Sequence, residues 1–206
     1  LERGENRVII FSYGSPTSGI PPVWAAEEDR PGLNFLERLN DGAIEMISEH
    51  VAAVKQTGDI VVFSVHWGGN WGYDIPKQQQ EFVHQLIDQA GVDVVHGHSS
   101  HHPRSIEVYK DKLIIYGAGD LINDYEGIGG HEKYRGDLTL MYFLKINPEN
   151  GKLVSMKLVP MQNKNFKLNY PSKSDIEWMA EILNREGKSF ETEVKLNNDS
   201  SFMLQW

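Results

Sequence analysis

Residues 59–103 read DIVVFSVHWGGNWGYDIPKQQQEFVHQLIDQAGVDVVHGHSSHHP, and the order of patterns in this stretch decides the fold. Val61, Val62, Phe63 and Val65 form a nearly unbroken apolar run, as in a strand buried on both faces. Pro76 sits where a helix begins, a position proline favours. Phe82, Val83, Leu86, Ile87 and Ala90 recur with helical spacing, and Gly91 supplies a stop. A second apolar run, Val92–Val95, follows. The spacing predicts strands over Asp59–Val65 and Val92–His96 with one helix between them. Such a unit makes the two strands parallel and brings their C-terminal ends to one edge of a sheet. Open α/β sheets bind ligands at that edge.

Each strand of the unit leads into a loop that carries histidine. His66-Trp67-Gly68-Gly69 follows the first, and Gly97-His98-Ser99-Ser100-His101-His102 follows the second. The topology therefore predicts that His66 meets the second cluster in space. Imidazole is the commonest metal ligand and also suits proton transfer near neutral pH. Several neutral imidazoles on one edge suit Zn, Fe, Mn or Ni better than Mg or Ca. The glycines let the backbone turn sharply and approach a ligand. His98 and His101 lead the second cluster, His102 is placed to substitute for His101, and His96, ending the strand, is expected to point into the sheet. Four histidines within residues 96–102 favour a site over a merely polar loop. Trp67, Asn70, Trp71 and Tyr73 accompany His66, as a substrate wall or as packing for the loop.

Three blocks in this order carry a resemblance: VVFSVHWGGNWG, then VDVVHGHSSHH, then IIYGAGDLINDYEG. Over roughly residues 7–146 the chain resembles the CapA family of poly-γ-glutamate capsule-synthesis proteins, which is similar to the calcineurin-like metallophosphoesterases. The resemblance implies an α/β fold, part of a four-layer α/β/β/α sandwich with a mixed sheet and parallel core strands. One domain would cover residues 1–206. It implies His66, His98 and His101 as metal ligands, with Gly97-His98-Ser99-Ser100-His101 fitting the family's GHxxH form. It implies one or two divalent transition metal ions (Mn, Fe or Zn) and water attacking a phosphoester or similar bond. Asp120 would orient a ligand histidine, where family members usually show a GN-type tetrapeptide in place of Gly119-Asp120. Apart from the resemblance, the guanidinium of Arg135 or Arg104 suits a clamp on phosphate or carboxylate, against the default of a solvated arginine.

The superfamily's earlier motifs, an Asp-x-His pair, a bridging Asp and an Asn followed by His or Glu, do not precede His66. The expectation is that an N-terminal portion of the family domain lies outside these residues. The implied partners are a small-molecule or polymer substrate (phosphoester or polyglutamate), that N-terminal portion, or other capsule-synthesis proteins. The family suggests bacterial cytoplasm or an association with the cell envelope. The alternative is a non-catalytic module that binds polymer or a partner protein with one metal or none.

With 20 basic against 29 acidic residues the net charge is -9, which argues against nucleic acid as partner. It is awkward for a polyanion too, although bound metal changes the local sign. The absence of cysteine excludes disulfides and thiolate ligands. No apolar run is long enough to span a membrane, and no signal segment opens the sequence.

Around the central unit, Arg7–Tyr13 reads as a strand feeding a loop whose Ser15, Thr17 and Ser18 suit turn chemistry better than ligand contact. Residues 20–37 read as a long ordered loop, with Trp24 on the core or the cleft. Asn40 or Asp41 caps a helix to about Thr57, whose Ile44, Ile47, Val51 and Val54 make the buried stripe, with His50 beside it. His84 is expected to face solvent from the 76–90 helix. Ser105–Tyr109 and Lys112–Tyr116 form a hairpin over Lys110-Asp111. Asn123, Asp124 and Glu126 are turn formers or contacts, and the glycine-rich 127–137, with His131 and Arg135, reads as a lid. Leu138–Ile146 and Lys152–Pro160 form a second hairpin. Residues 162–171 read as loop, Ser174 with Glu177 as a capping box for a helix ending at Gly187, Glu191–Leu196 as an edge strand, and the tail beyond Asn197 as featureless.

Overall fold

The computed structural model describes residues 1–3, 6–123 and 129–206. In chain order the elements are β1 (Glu2–Arg3), β2 (Asn6–Gly14), α1 (Asp41–Ala52), β3 (Ile60–His66), α2 (Lys77–Gln89), β4 (Val94–His98), β5 (Ile106–Tyr109), β6 (Lys112–Ile115), β7 (Leu138–Ile146), β8 (Leu153–Lys164), β9 (Lys167–Asn169), α3 (Lys173–Gly187), β10 (Glu193–Leu196) and β11 (Phe202–Gln205). They form two sheets. The first runs β1-β2-β3-β4-β6-β5. Its four central strands are parallel, and β1 and β5 are antiparallel edges. The second, β10-β11-β8-β7 with β9 on β8, is antiparallel. This is the expected α/β class with a mixed sheet and parallel core strands.

Alternation along the parallel strands sorts their side chains into two cores. Phe63, Val65, Val61 and Val95 face α1 and α2, whose Ile44, Ile47, Phe82 and Leu86 close that side. Val94, Leu113 and Ile115 face the second sheet, meeting Leu140, Leu158 and Phe202 together with Met179 and Leu183 of α3. Among the described residues, no helix is long and apolar enough to cross a membrane.

Several boundaries differ from expectation for identifiable reasons. α1 stops at Ala52 rather than Thr57, because Lys55 turns away to bond Gly91 O at 2.7 Å and Asp93 at 3.1 Å. Asn40 caps it as expected, accepting from Ala43 N at 3.1 Å. The capping box of α3 is built by Ser172 and Asp175, not Ser174 and Glu177. β9 lies in the stretch read as loop; Asn165 and Phe166, both with φ 55, make the tight turn that pairs it with β8. The tail supplies β11, an interior strand between β10 and β8 in which Phe202 and Leu204 are buried. The alternation Phe202-x-Leu204 after Asn197-Asn198-Asp199-Ser200 was its readable signal.

Candidate functional site

The parallel ladder of β3 and β4 builds the site directly. Both strands run further than the apolar pattern predicts, so His66 and His98 sit inside the ladder as directly paired residues. Ser64 pairs with His96 one rung below, and Gly14 and Ser12 of β2 continue the two rungs. Residues two apart share a face, so His96, His98, Ser64 and His66 all stand on the side away from α1 and α2. His96 lies against the neighbouring strand, its Nδ1 3.1 Å from Ser64 Oγ. Gly97, between the two histidines, is required sterically: a Cβ there would come within 2.5 Å of Tyr116 O and 2.7 Å of Trp67 Nε1.

The Nδ1 atoms of His66 and His98 are 3.0 Å apart. One imidazole therefore donates and the other accepts. Burial, with His96 and His66 adding to it, pulls the His98 pKa down to about 4. Burial, reinforced by nearby His101, holds His66 below the ordinary value, and burial does the same to His96. The edge is thus a group of neutral imidazoles at neutral pH. In the adjoining loop, His101 Nδ1 lies 2.6 Å from Asp120 Oδ2. A carboxylate accepts only, so Nδ1 carries a proton. Asp120 is itself fixed by Asn123 Nδ2 at 2.6 Å and, through its main-chain oxygen, by Thr139 Oγ1.

The remaining candidates divide clearly. Trp67 is buried and donates to Tyr116 O at 3.1 Å, so it packs the loop. Trp71 stacks on His131 at 4.4 Å, and Tyr134 stacks on His102 at 4.9 Å with Tyr73 edge-on at 4.6 Å. These rings fill one another's faces beside His101. Burial pulls the His102 pKa down to about 4. Thr17 Oγ1 accepts from Gly68 N at 3.0 Å and Ser18 Oγ donates to His66 O at 3.1 Å, so the loop after β2 braces the histidine loop. Arg104 is buried rather than facing a cleft. Arg135 spends its guanidinium on Asp137, at 2.8 and 2.9 Å, and on Asp175 at 2.8 Å. Trp24 is exposed, and His50 Nδ1 contacts Tyr13 OH at 3.0 Å. His84 does not face solvent freely; it stacks on Tyr109 at 3.8 Å and reaches Glu107 at 2.8 Å. Asp124, Glu126 and part of the 127–137 segment lie outside the described residues.

The donor set can be compared with a metal's requirements. Two nitrogens bound to one transition metal at about 2.1 Å stand roughly 3.0–3.4 Å apart. The Nδ1 pair of His66 and His98 already has that spacing, and both imidazoles are neutral. The carboxylate on His101 Nδ1 is the partner that metal-binding histidines characteristically use. Among the described residues, no group of three His, Asp or Glu side chains is yet placed around one point. The fit therefore rests on the His66–His98 pair. Below it, His96 and His98 line a cleft of about 600 Å³ whose opposite wall is Leu140, Tyr142 and Leu144.

The fold and edge chemistry define an α/β protein with an imidazole site at the strand C-termini. The chain belongs to the bacterial capsule synthesis protein (PGA_cap) family, whose model matches residues 1–125. It is 42% identical over 197 residues to a probable polyglutamine synthesis accessory protein of Mycobacterium tuberculosis, covering 95% of this chain and 52% of that protein. It is 33% identical over 124 residues to the PGA biosynthesis protein CapA of Bacillus subtilis, 60% of this chain and 30% of the relative. It is 28% identical over 136 residues to the capsule biosynthesis protein CapA of Bacillus anthracis, 66% and 30% respectively. The chain thus spans about half the length of the mycobacterial relative.

Proposed function

We propose that this chain serves the synthesis of a glutamate-polymer capsule, and that its imidazole edge is a transition-metal site for hydrolysis of a phosphoester or similar bond. Family membership and the names of the relatives support the biological role. The 3.0 Å contact between the Nδ1 atoms of His66 and His98 carries the chemical reading. His66 and His98 would hold an ion (Mn, Fe or Zn), with His101 as the further ligand and Asp120 fixing its direction. The metal, when bound, supplies Lewis acidity toward a phosphoryl or carbonyl oxygen. A second ion would need ligands beyond these three. His96, held by Ser64, lines the cleft beside His98, and Leu140, Tyr142 and Leu144 give it an apolar wall for a bound substrate. Arg135 takes no substrate role in this reading, since two carboxylates occupy it. The partners are the phosphoester or polyglutamate substrate and other capsule-synthesis proteins.

Elemental analysis of untagged protein purified without chelator tests the reading. About one transition metal per chain is expected, lost in His66→Ala while the fold persists. Wild-type protein that stays metal-free after equilibration with Zn, Mn and Fe sinks the metal reading, and the edge would then belong to a polymer- or protein-binding module.

A further inference from the structure

The loop that carries His66 is held from inside the protein by a cation. Arg104 is 6% exposed, and its Nη2 donates to Gly69 O at 2.7 Å and to Trp71 O at 3.4 Å. Its Nε has no hydrogen-bond partner in the described structure. A guanidinium buried against main-chain carbonyls is costly by desolvation, and an apolar side chain would fill that space at lower cost. Its position explains what the fold gains. Arg104 belongs to the segment that follows the His98–His102 cluster, and its own N–H donates to Gly117 O at 2.9 Å. Its stem runs against Gly117, where a Cβ would come within 2.9 Å of Arg104 Cδ. One side chain therefore ties the loop after β3 to the loop after β4 and to the chain leaving β6. The other ties are weaker in kind: Trp67 N to His98 O at 3.0 Å, His101 N to Asn70 O at 3.0 Å, and Ser99 Oγ to Gly68 O at 3.1 Å. Ser99 itself sits at φ 116, a conformation a non-glycine residue holds only when its surroundings impose it.

We propose that Arg104 is the positioning residue of the imidazole edge: the ladder sets the register of His66 against His98, and the hold of Arg104 on the carbonyls of Gly69 and Trp71 fixes the loop that follows His66 and so the direction of the His66 ring. Both bonds come from Nη2, and the rigid planar guanidinium fixes the direction of that nitrogen, which a lysine ammonium on a flexible stem does not reproduce. The inference rests on that pair being the working site.

The test is Arg104→Met with histidine-selective ¹⁵N labelling. Wild type is expected to show one Nδ1–H tautomer within the His66–His98 pair, a signature present without metal. Arg104→Met removes the charge at similar volume and is expected to fold, to lose that signature, and to bind zinc about ten-fold more weakly. Arg104→Lys is expected to restore it only partly. Retention of the wild-type signature in Arg104→Met overturns the proposal, whatever happens to thermal stability. Should the Met variant fail to fold, Arg104→Lys decides by the same signature; should neither fold, Arg104 is a core residue and the proposal falls. Because the readout needs no metal, wild-type protein that binds no zinc would sink the metal reading without deciding the role of Arg104.

Discussion

The two ends of the parallel strands treat polar groups in opposite ways. At the N-terminal end, Asp59 is held by Arg7 at 2.5 and 2.8 Å, and Asp93 by Lys55 at 3.1 Å and Lys112 at 2.5 Å, with Val61 N adding a hydrogen bond at 2.9 Å. Every buried carboxylate there has a cation. At the C-terminal end, among the described residues, the side chains of His66 and His98 hydrogen-bond to each other and Arg104 to main-chain carbonyls. Charges that are fully paired inside a fold serve the fold. Neutral imidazoles that bond only weakly to one another, next to a cleft, can exchange that bond for another partner, as the proposed metal site requires. The difference teaches where this molecule places stability and where it places chemistry.

The comparison is broken most strongly at the paired end. Asp93→Ala strands two lysines and is expected to cost about 3–5 kcal/mol in denaturant unfolding, whereas His98→Ala should stay within about 1 kcal/mol of wild type. Equal losses would mean that the histidine edge is structural. Next in size, Asp120→Ala removes the acceptor that fixes His101 and should weaken zinc binding about ten-fold with little change in unfolding; isothermal titration of the two proteins decides.

The smallest effect separates the two ends by pH. His98 is depressed from 6.5 to about 4, so the native state refuses a proton that the unfolded chain accepts, and stability falls as pH drops from 6.5 toward 4. Asp59 is depressed from 3.8 to about 2 by Arg7 and by Gln56 N; its contribution is present above 3.8 and is lost as pH falls through 2. Acid unfolding followed across both windows should therefore lose part of its upper component in His98→Ala, with His102, depressed over the same window, supplying the rest, and part of its lower component in Asp59→Asn. A single window untouched by both substitutions would contradict the division.

Much of the site was legible because the signals are local. A βαβ unit announces itself by apolar runs and helical spacing, and parallel pairing follows from the connection, so the meeting of His66 with His98 was derivable from the chain. The pairing in register was not, since apolar runs stop at Val65 and Val95 while the ladder continues through His66 and His98. Ser64 beside His96 escaped notice for the same reason: a polar residue inside an apolar run carries no periodic signal until its neighbour strand is placed. Arg104 and His84 were misjudged because exposure is the default for a charged or polar side chain, and only packing shows otherwise. β11 was missed for being short, although its alternation was present.

By itself the sequence determined the class of fold, the parallel unit, the edge at which histidines gather and the family, because those depend on period, turn chemistry and residue order. Only the tertiary structure decided which nitrogens face each other, that Asp120 hydrogen-bonds His101, that Arg135 is already paired with carboxylates, and that Arg104 is buried against main-chain carbonyls. Those facts depend on register and on distances between segments far apart in the chain, where one residue of slip moves a side chain to the opposite face.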